Sequence, residues 1–226
     1  MTQDEAKLQV AKRATEFVKD GMVVGLGTGT TATMFIRELA ARKFKIRCVA
    51  SSDASNDLAA SLGMQVFTLA DLPELDLYID GADEIAHAEG ALNLIKGGGG
   101  ALLREKIVCS AAREFIVVAD STKVVPFLGK FPLPVEIIKM ALPLVEPKLA
   151  DFGLNPRLRQ KKDGSGPLIT DEGNYILDCA CGRIDEPESL AAELKSIVGV
   201  VDHGLFLGMA SLALVAGEGG VTEYRP

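Results

Sequence analysis

The sequence contains few of the residues that build metal, redox or nucleic-acid sites. Its 226 residues include two histidines, His87 and His203, and four cysteines. No HExxH pattern is present, and the cysteines of "CAC" at 179–181 lack the CxxC spacing of a zinc or redox pair. We therefore expect no metal site and reduced cysteines. The net charge of −7 also leaves no basic excess for binding nucleic acid.

Long hydrophobic runs are absent as well. No segment approaches the roughly 18 apolar residues of a membrane span, and the opening "MTQDEAKLQVAKRATEF" lacks the apolar region of a signal peptide. We therefore expect a cytoplasmic protein with no membrane partner. Hydrophobic residues still make up 48% of the chain, which is enough for a sizeable core. An acidic protein can also bind a small anionic substrate at a locally cationic site.

The first 120 residues alternate between apolar strands and amphipathic helices. A capping box at Thr2 and Glu5 predicts a first helix that runs to Lys19. Strands are predicted at "MVVGL", "IRCVAS", "ELDLYID", "LNLI" and "FIVVAD", and further helices at "TTATMFIRELAARK", "DASNDLAASLG" and "ALLREKIVCSAAR". This alternation predicts an α/β fold with a Rossmann-like parallel sheet and helices on both faces.

The pattern changes at the proline-rich stretch "VVPFLGKFPLPVEII". Beyond it we predict a strand, a helix, short strands at "PLIT" and "NYILDC", and a helix at "PESLAAELKSIV", an order typical of α+β domains. The predicted organisation is a Rossmann-like catalytic domain at residues 1–130, to which 205–226 return, and a smaller α+β, ferredoxin-like domain at residues 131–204.

A glycine-rich turn, "GLGTGTTATMF", lies between a predicted strand and a predicted helix. Backbone N–H groups at such a helix start form an anion site. Gly27, Gly29 and Ala32 match the relaxed dinucleotide fingerprint GxGxxA, and Asp53 lies about 20 residues further on. A nicotinamide-dependent dehydrogenase is therefore one interpretation of this turn.

Three threonines in the same turn favour a different ligand. The hydroxyls of Thr28, Thr30 and Thr31 suit the oxygens of a phosphate monoester, whereas a pyrophosphate site needs bare glycine for close approach. The alternative is that these hydroxyls only cap the helix.

Acidic residues follow the predicted strand "ELDLYID". In "DGADEI", Asp80, Asp83 and Glu84 come where parallel α/β sheets bind their ligands. Carboxylates that accept hydrogen bonds from sugar hydroxyls are the preferred interpretation. A magnesium site is the alternative, although no further carboxylate cluster completes one.

The stretch "KGGGGALLREK" combines a lysine, four glycines and a helix that carries Glu105. Ala101, Val108 and Ala112 would share the helix face of Glu105, so its carboxylate would be costly to bury unless it is used or paired. Burial would raise its pKa toward that of a general base, while the helix N-terminus acts in the opposite direction. Lys96 could reach the same cavity. A buried ion pair without a catalytic role is the alternative.

One further lysine, Lys123 in "VVADSTK", follows a strand and could hold a phosphate, or it could be a solvated loop residue. An anion site, a lysine, two aspartates and a glutamate at the carboxyl ends of strands together indicate proton transfer next to a carbonyl.

These motifs also carry a family resemblance. "GLGTGTTA", "SSDAS", "DGADEI", "KGGGGALLREK" and "GKFPLPVE" resemble, in this order, those of type A ribose-5-phosphate isomerase, and "MTQDE" and "GNYILD" extend the similarity over nearly the whole chain. The resemblance implies interconversion of ribose 5-phosphate and ribulose 5-phosphate without a cofactor, in the non-oxidative branch of the pentose phosphate pathway. It also implies a homodimer or homotetramer.

The resemblance assigns roles to individual positions. It implies that the phosphate is bound by Thr28, Gly29, Thr30 and Thr31 together with Lys7 and Lys123. It implies that Asp80, Gly81, Ala82 and Asp83 line the sugar, with the aspartates assisting ring opening and hydroxyl proton shifts. It implies that Lys96, Gly97, Gly98 and Gly99 flank the reacting carbons, and that Glu105 accepts the proton.

Two departures accompany the resemblance. "AHAEGALNLI" is longer than the usual spacing between the aspartates and the lysine, which predicts a wider turn near His87 to Gly90. Thr30 stands where many members have serine, which keeps the hydroxyl. A dehydrogenase and a non-catalytic sugar-phosphate sensor are the two rival functions. NADH binding would favour the first, and a site without a base would favour the second.

Overall fold

The computed structural model describes residues 1–88 and 90–226. Within these ranges the α-helices are α1 Gln3–Thr15, α2 Thr30–Arg42, α3 Asp53–Ser61, α4 Leu102–Ser110, α5 Leu142–Asp151 and α6 Pro187–Ser196. The strands are β1 Val23–Leu26, β2 Arg47–Ala50, β3 Val66–Phe67, β4 Leu75–Asp80, β5 Glu84–Ala88, β6 Ala91–Ile95, β7 Ala112–Asp120, β8 Val124–Val125, β9 Leu133–Ile137, β10 Pro156–Leu158, β11 Tyr175–Cys179, β12 Val200–His203, β13 Leu205–Phe206, β14 Leu212–Gly217 and β15 Gly220–Tyr224.

The largest described sheet has the strand order β15-β14-β7-β4-β1-β2-β3. All neighbouring pairs in it are parallel except β14 and β15. The chain runs outward from β1 to β2 and β3, then returns to β4 on the other side of β1. The carboxyl ends of β1 and β4 therefore flank the point where the strand order reverses, which is where open α/β sheets bind ligands. The predicted α/β class is confirmed.

The central strands of this sheet are apolar over most of their length because both faces are covered. In β7, Ile116 and Val118 pack on the face that carries α1, α2 and α3. Phe115 and Val117 pack on the opposite face, against α4 and the hairpin β5–β6. Helices thus lie on both faces, but an antiparallel hairpin, absent from the sequence prediction, shares the second face with α4.

Two predicted helices are shorter than expected. The capping box of α1 is present, since the Thr2 hydroxyl accepts from the Glu5 amide at 3.2 Å and the Glu5 carboxylate accepts from the Thr2 amide at 2.7 Å. However, α1 ends at Thr15 rather than Lys19. Helix α4 ends at Ser110 because Ala112 already pairs with Leu75 in the main sheet, so Ala112 does not share the helix face of Glu105.

A second sheet has the order β10-β11-β9-β12, with all pairs antiparallel. Its elements follow the sequence β9-α5-β10-β11-α6-β12, which is the βαββαβ arrangement of ferredoxin-like domains. The predicted strand at "PLIT" is wrong, since within it only Pro167 forms an isolated bridge, with Gln160. The domain boundaries themselves stay a prediction.

The third sheet has the strand order β13-β6-β5-β8. Its side chains pack against both of the other sheets. Its hairpin continues to the pair Ala88 and Ala91, in the segment where a wider turn was expected. Glu89, in the middle of the segment where the wider turn was expected, lies outside the described residues. At the base of the hairpin the buried carboxylate of Glu84 accepts from the amides of Gly129 at 2.7 Å and Phe131 at 2.6 Å. Glu84 thus connects the segment "DGADEI" to the segment "GKFPLPVE" through hydrogen bonds, and it does not line the cleft.

No helix of the described chain has both the length and the apolar character that crossing a membrane requires.

Candidate active site

A cleft that is partly open to solvent lies where the strand order of the main sheet reverses, which is a usual position for ligand sites in α/β sheets. The residues that line it include every site residue predicted from the sequence except Asp80. They are Gln3, Lys7, Thr28, Gly29, Thr30, Thr31, Gly81, Ala82, Asp83, Lys96, Gly97, Gly98, Gly99, Glu105 and Lys123.

One end of the cleft is formed by the threonine turn, residues 28–31, at the start of α2. The N-cap of α2 is Gly29, whose φ of 101° is accessible to glycine but strained for other residues. No side chain caps this helix, and its first turn contains no acidic residue. The first amides of α2 are therefore left for a ligand, and the helix dipole favours an anion there. The alternative that the threonines only cap the helix is wrong.

The threonines contribute differently to this end. The Ser51 hydroxyl donates to the Leu26 carbonyl at 3.0 Å and lies 2.9 Å from the Thr28 hydroxyl. Because the Ser51 proton is used in the bond to the Leu26 carbonyl, the Thr28 hydroxyl must donate to Ser51. The Thr28 oxygen can then only accept a hydrogen bond from a ligand. The hydroxyls of Thr30 and Thr31 are the donors that remain for an anion.

Two lysines and a glutamine line the same cleft. Lys7, one turn beyond Gln3 on α1, lies 3.7 Å from the exposed carboxylate of Asp4. Asp120 accepts from the Thr122 amide at 3.0 Å and from Gln3 Nε2 at 3.2 Å, which fixes the short turn that carries Lys123. Burial opposes the ionised form of Asp120, but the hydrogen bonds from Thr122 and Gln3 outweigh it and lower its pKa. The two lysines thus bring positive charge to the cleft that the threonine turn lines.

Asp80 lies beneath the cleft and does not line it. Its side chain is fully buried. It accepts from the amides of Thr28 at 2.9 Å and Gly81 at 2.7 Å, from Lys96 Nζ at 2.7 Å, and from the Tyr78 hydroxyl. With these donors in place its carboxylate is occupied by the protein. Direct contact of Asp80 with a sugar, which the sequence predicted, does not fit this geometry; Asp80 instead holds the threonine turn and Lys96 together.

Asp83 faces the cleft, and its position explains why some of residues 97–100, the glycine run, must be glycine. Its Oδ2 accepts from the Gly98 amide at 2.7 Å, and a Cβ at Gly98 would come within 2.5 Å of Asp83 Oδ1. Gly97 and Gly100 have φ values of 104° and 84°, which favour glycine. The Gly100 amide donates to the Gly97 carbonyl. Among the described residues, the amides of Gly97 and Gly99 have no protein acceptor and are left for a ligand.

Lys96 is buried at 2% exposure between three oxygen acceptors. Its Nζ donates to Asp80 Oδ2 and to the Gly81 carbonyl, each at 2.7 Å, and lies 3.5 Å from Glu105 Oε2. Burial disfavours the charged amine, but the carboxylates of Asp80 and Glu105 outweigh burial and hold the pKa of Lys96 above its ordinary value. Lys96 is therefore a fixed cation on the wall of the cleft.

Glu105 is the buried carboxylate of the site. It is 3% exposed, lies in the first turn of α4 and lines the cleft. Among the described residues its Oε2 has no hydrogen-bond partner. Burial, reinforced by the charges of Asp80 and Asp83, raises the pKa of Glu105 to about 8, although Lys96 acts in the other direction. A carboxylate with a raised pKa and a free buried oxygen is equipped to accept a proton from a ligand.

The structure also bears on the rival interpretations. Asp53, which a dinucleotide site would use for a ribose, does not line the cleft and pairs with Arg104 at 2.6 Å. A Cβ at Gly27 would overlap the Asp80 carboxylate, so this glycine serves internal packing. In the part of the chain that the structure describes, no group of three or more His, Cys, Asp or Glu side chains is arranged to hold a metal ion.

Four residues of the site escaped the sequence analysis. Gln3 lines the cleft, Ser51 and Tyr78 hold Thr28 and Asp80, and Arg159 contacts the glycine run from the second sheet. Gln3 had a local signal, since it precedes Lys7 by one helical turn. The other three act through contacts that no local pattern in the sequence encodes.

Comparisons with known proteins agree on one family. The family model described as ribose 5-phosphate isomerase A (phosphoriboisomerase A) matches residues 47–220. The chain is 48% identical over 232 aligned positions to a ribose-5-phosphate isomerase A of Caulobacter vibrioides, with 100% of both chains covered. It is 49% identical over 223 positions to one of Sinorhizobium fredii, with 96% of this chain and 95% of the relative covered.

Solved structures give the same result. A ribose 5-phosphate isomerase A from Methanocaldococcus jannaschii is similar to this chain with a TM-score of 0.94 and 40% identity, covering 100% of both chains. A D-ribose-5-phosphate isomerase in complex with phospho-erythronic acid is similar with a TM-score of 0.95 and 37% identity, again covering 100% of both.

Proposed function

The chain belongs to the ribose 5-phosphate isomerase A family, and from this premise we propose how its cleft interconverts D-ribose 5-phosphate and D-ribulose 5-phosphate. It is an aldose–ketose isomerase, and the mechanism proposed for it proceeds through a cis-enediolate with Glu105 as the proton shuttle. The observation that carries this assignment is the buried Oε2 of Glu105, which lies 3.5 Å from Lys96 Nζ and has no hydrogen-bond partner in the described part of the chain.

The phosphate is proposed to bind at the threonine turn. The free amides of α2, the hydroxyls of Thr30 and Thr31, and the charges of Lys7 and Lys123 all meet there. Backbone N–H groups and the dipole at the start of a helix favour an anion such as a phosphate, and the two lysines add to this attraction. The sugar then extends along the cleft toward the glycine run, which places its first two carbons near Glu105. The phospho-erythronic acid complex of a relative supports a sugar phosphate as the ligand.

Ring opening is assigned to Asp83. Opening the furanose requires a base for the hydroxyl at C1 and an acid for the ring oxygen. Asp83 lines the cleft and keeps one carboxylate oxygen beyond its bond to the Gly98 amide. Asp80 is assigned an indirect role, since its carboxylate is occupied by Thr28, Gly81 and Lys96.

The isomerisation itself is a transfer of one proton between neighbouring carbons. Glu105 removes the proton from C2 of the open aldehyde, and the electron pair of that C–H bond forms the C1–C2 double bond and leaves negative charge on O1. A proton passes from O2 to O1, and Glu105 returns its own proton to C1 as the C2 carbonyl forms. Lys96 and the amides of Gly97 and Gly99 stabilise the enediolate. Such donors act most strongly on charge that develops in the transition state.

A direct assay tests this function. Purified protein is incubated with ribose 5-phosphate in the presence of a chelator and without nucleotide, and ketose formation is followed with time. We expect catalytic turnover under these conditions. Binding of ribose 5-phosphate without ketose formation would support the sensor instead, and saturable NADH binding would support the dehydrogenase.

Replacing Lys123 with alanine should raise KM for ribose 5-phosphate by roughly 10- to 100-fold, because hydrogen bonds to charged groups contribute about 1.5–3 kcal/mol. The phosphate takes no part in the proton transfer, so kcat should change little. Steady-state kinetics measure both constants. The matched control is Lys130→Ala, which removes an exposed lysine outside the cleft. An unchanged KM in Lys123→Ala would remove Lys123 from the phosphate site.

Two further expectations stay predictions. Family membership suggests a homodimer or a homotetramer, and the composition of the chain suggests a cytoplasmic location. Neither bears on the chemistry proposed above, because every group in the proposed mechanism comes from one chain.

A further inference from the structure

Arg159 reaches the glycine run from outside the catalytic sheet. It follows β10 in the ferredoxin-like unit and does not line the cleft. Its Nη1 nevertheless lies 2.8 Å from the Gly97 carbonyl oxygen and 3.3 Å from the Gly98 carbonyl oxygen. The carbonyl oxygens of two consecutive glycines therefore share one guanidinium nitrogen.

The guanidinium group is held firmly in this position. Its Nε donates to Asp178 Oδ2 at 2.9 Å and its Nη2 to Asp178 Oδ1, a two-point pairing that fixes the plane of the group. The backbone of Arg159 is bonded on both sides, to the Ile176 carbonyl and to the Leu168 amide, each at 2.9 Å. Arg159 is thus a rigid part of the second sheet and not a mobile surface side chain.

The orientation of the peptide planes links Arg159 to the cleft. In a trans peptide the carbonyl and the following N–H point in opposite directions. The Gly97 carbonyl points to Arg159, and the N–H on the other side of that peptide, of Gly98, donates to Asp83 at 2.7 Å. By the same geometry, the Gly98 carbonyl points to Arg159, so the Gly99 N–H points away from Arg159. This direction leads toward the cleft, which Gly99 lines.

We propose that Arg159 is a positioning residue for the isomerisation, holding the Gly97 and Gly98 carbonyls outward so that the Gly98 amide fixes Asp83 and the Gly99 amide faces the enediolate. The inference deepens the proposed function and rests on it. It makes the ferredoxin-like unit part of the catalytic apparatus, because Asp178 and Arg159 both belong to that unit. A cation on the carbonyl side also polarises each peptide and strengthens its N–H as a donor.

A positioning role and a purely structural role of Arg159 predict different effects on catalysis and on substrate binding. When the guanidinium group is removed, the Gly98 carbonyl loses its bond to Arg159 while the Gly97 carbonyl keeps the Gly100 amide. The peptide between Gly98 and Gly99 can then rotate more freely, since glycine has the widest backbone freedom. Displacement of a catalytic donor by about 1 Å can reduce the rate by 10²-fold. Substrate binding through the phosphate should persist, because the guanidinium group bonds the Gly97 and Gly98 carbonyls and not the threonine turn.

The experiment compares Arg159→Ala and Arg159→Lys with the matched control Arg157→Ala, which removes an exposed guanidinium from β10, two residues before Arg159. We expect Arg159→Ala to lower kcat by about 10- to 100-fold, with KM within about threefold of the unmodified protein. Arg159→Lys should give a similar loss, because a single ammonium cannot bond the carbonyls and Asp178 in one plane. Arg157→Ala should leave both constants unchanged.

Two readouts do not depend on turnover. Affinity for phospho-erythronate, whose carboxylate has two oxygens as the enediolate does, should fall in Arg159→Ala, while affinity for inorganic phosphate stays the same. Backbone amide NMR shifts of Gly98 and Gly99 should move in Arg159→Lys and stay in place in Arg157→Ala. If Arg159→Ala fails to fold, Arg159→Lys and Asp178→Asn carry the same measurements.

Several results would overturn the inference. They are a kcat of Arg159→Ala equal to that of Arg157→Ala, a rise in KM at constant kcat, or Gly98 and Gly99 shifts that do not respond to Arg159→Lys. Absence of turnover in the unmodified protein would instead refute the proposed function, and the amide shifts would still decide whether Arg159 positions the glycine run.

Discussion

Replacing Glu105 with glutamine should lower kcat by roughly 10²–10⁴-fold, the usual contribution of a positioned general base. Glutamine has nearly the same shape and can occupy the same buried position, so KM should change little. The amide cannot accept a proton from C2, and no other carboxylate of the cleft has a buried oxygen without a donor, as far as the described residues extend. Single-turnover and steady-state measurements with ribose 5-phosphate give both constants.

The matched control is Glu114→Gln, which removes an exposed carboxylate of β7 away from the cleft. It should behave as the unmodified protein does. A second signature lies in the pH profile. Glu105 must be ionised to act as a base, and its pKa is raised to about 8. The value of kcat/KM should therefore rise with pH up to that region and level off above it. Near-normal kcat in Glu105→Gln would show that another group is the base.

Replacing Lys96 with methionine should lower kcat by about 10²–10³-fold, the usual effect of removing one donor from an oxyanion site. Methionine fills a similar volume but leaves the carboxylates of Asp80 and Glu105 without their cation. The loss of Lys96 therefore also raises the pKa of Glu105, and the rise of kcat/KM should move to higher pH. Steady-state kinetics across a pH series measure both effects.

A loss of stability accompanies this change and needs its own control. Breaking a buried ion pair typically costs about 3–5 kcal/mol. Lys106→Met is a matched variant, because Lys106 is also largely buried and bonds Asp202 at 2.6 Å without lining the cleft. Both variants should be less stable to urea, but only Lys96→Met should lose kcat by two orders of magnitude or more. Equal kcat in the two would mean that Lys96 contributes structure alone.

The sequence was sufficient to predict the α/β class and most of the cleft because both depend on local patterns. Strand and helix periods alternate clearly over residues 1–120, and each motif of the site follows the end of a predicted strand. Parallel strands bring their carboxyl ends to one edge of the sheet, so Thr28, Asp83 and Lys123 had to approach one another. The proposal that Glu105 is the base came from the family resemblance combined with the apolar residues predicted around it.

The remaining features depend on contacts between distant parts of the chain. The position of Asp80 beneath the cleft follows from donors on three segments, among them Thr28 and Lys96. Nothing in "YIDGADEI" distinguishes an aspartate that faces a ligand from one that is enclosed by the protein. Arg159 lies some sixty positions along the chain from the glycines it contacts. The sequence around it is typical of the end of an ordinary strand. Only the packing of the second sheet brings them together.

The place of β14 in the main sheet has a consequence for biosynthesis. β7 lies between β4, which precedes it in the chain, and β14 at Leu212–Gly217, which follows it by about a hundred residues. On the ribosome, β7 therefore emerges long before its second neighbour, with one row of backbone hydrogen-bonding groups unpaired. Pairings between strands so far apart form late and slowly. While the ferredoxin-like unit is being translated, the nascent catalytic half presents an open strand, and unpaired strand edges of this kind favour misassembly.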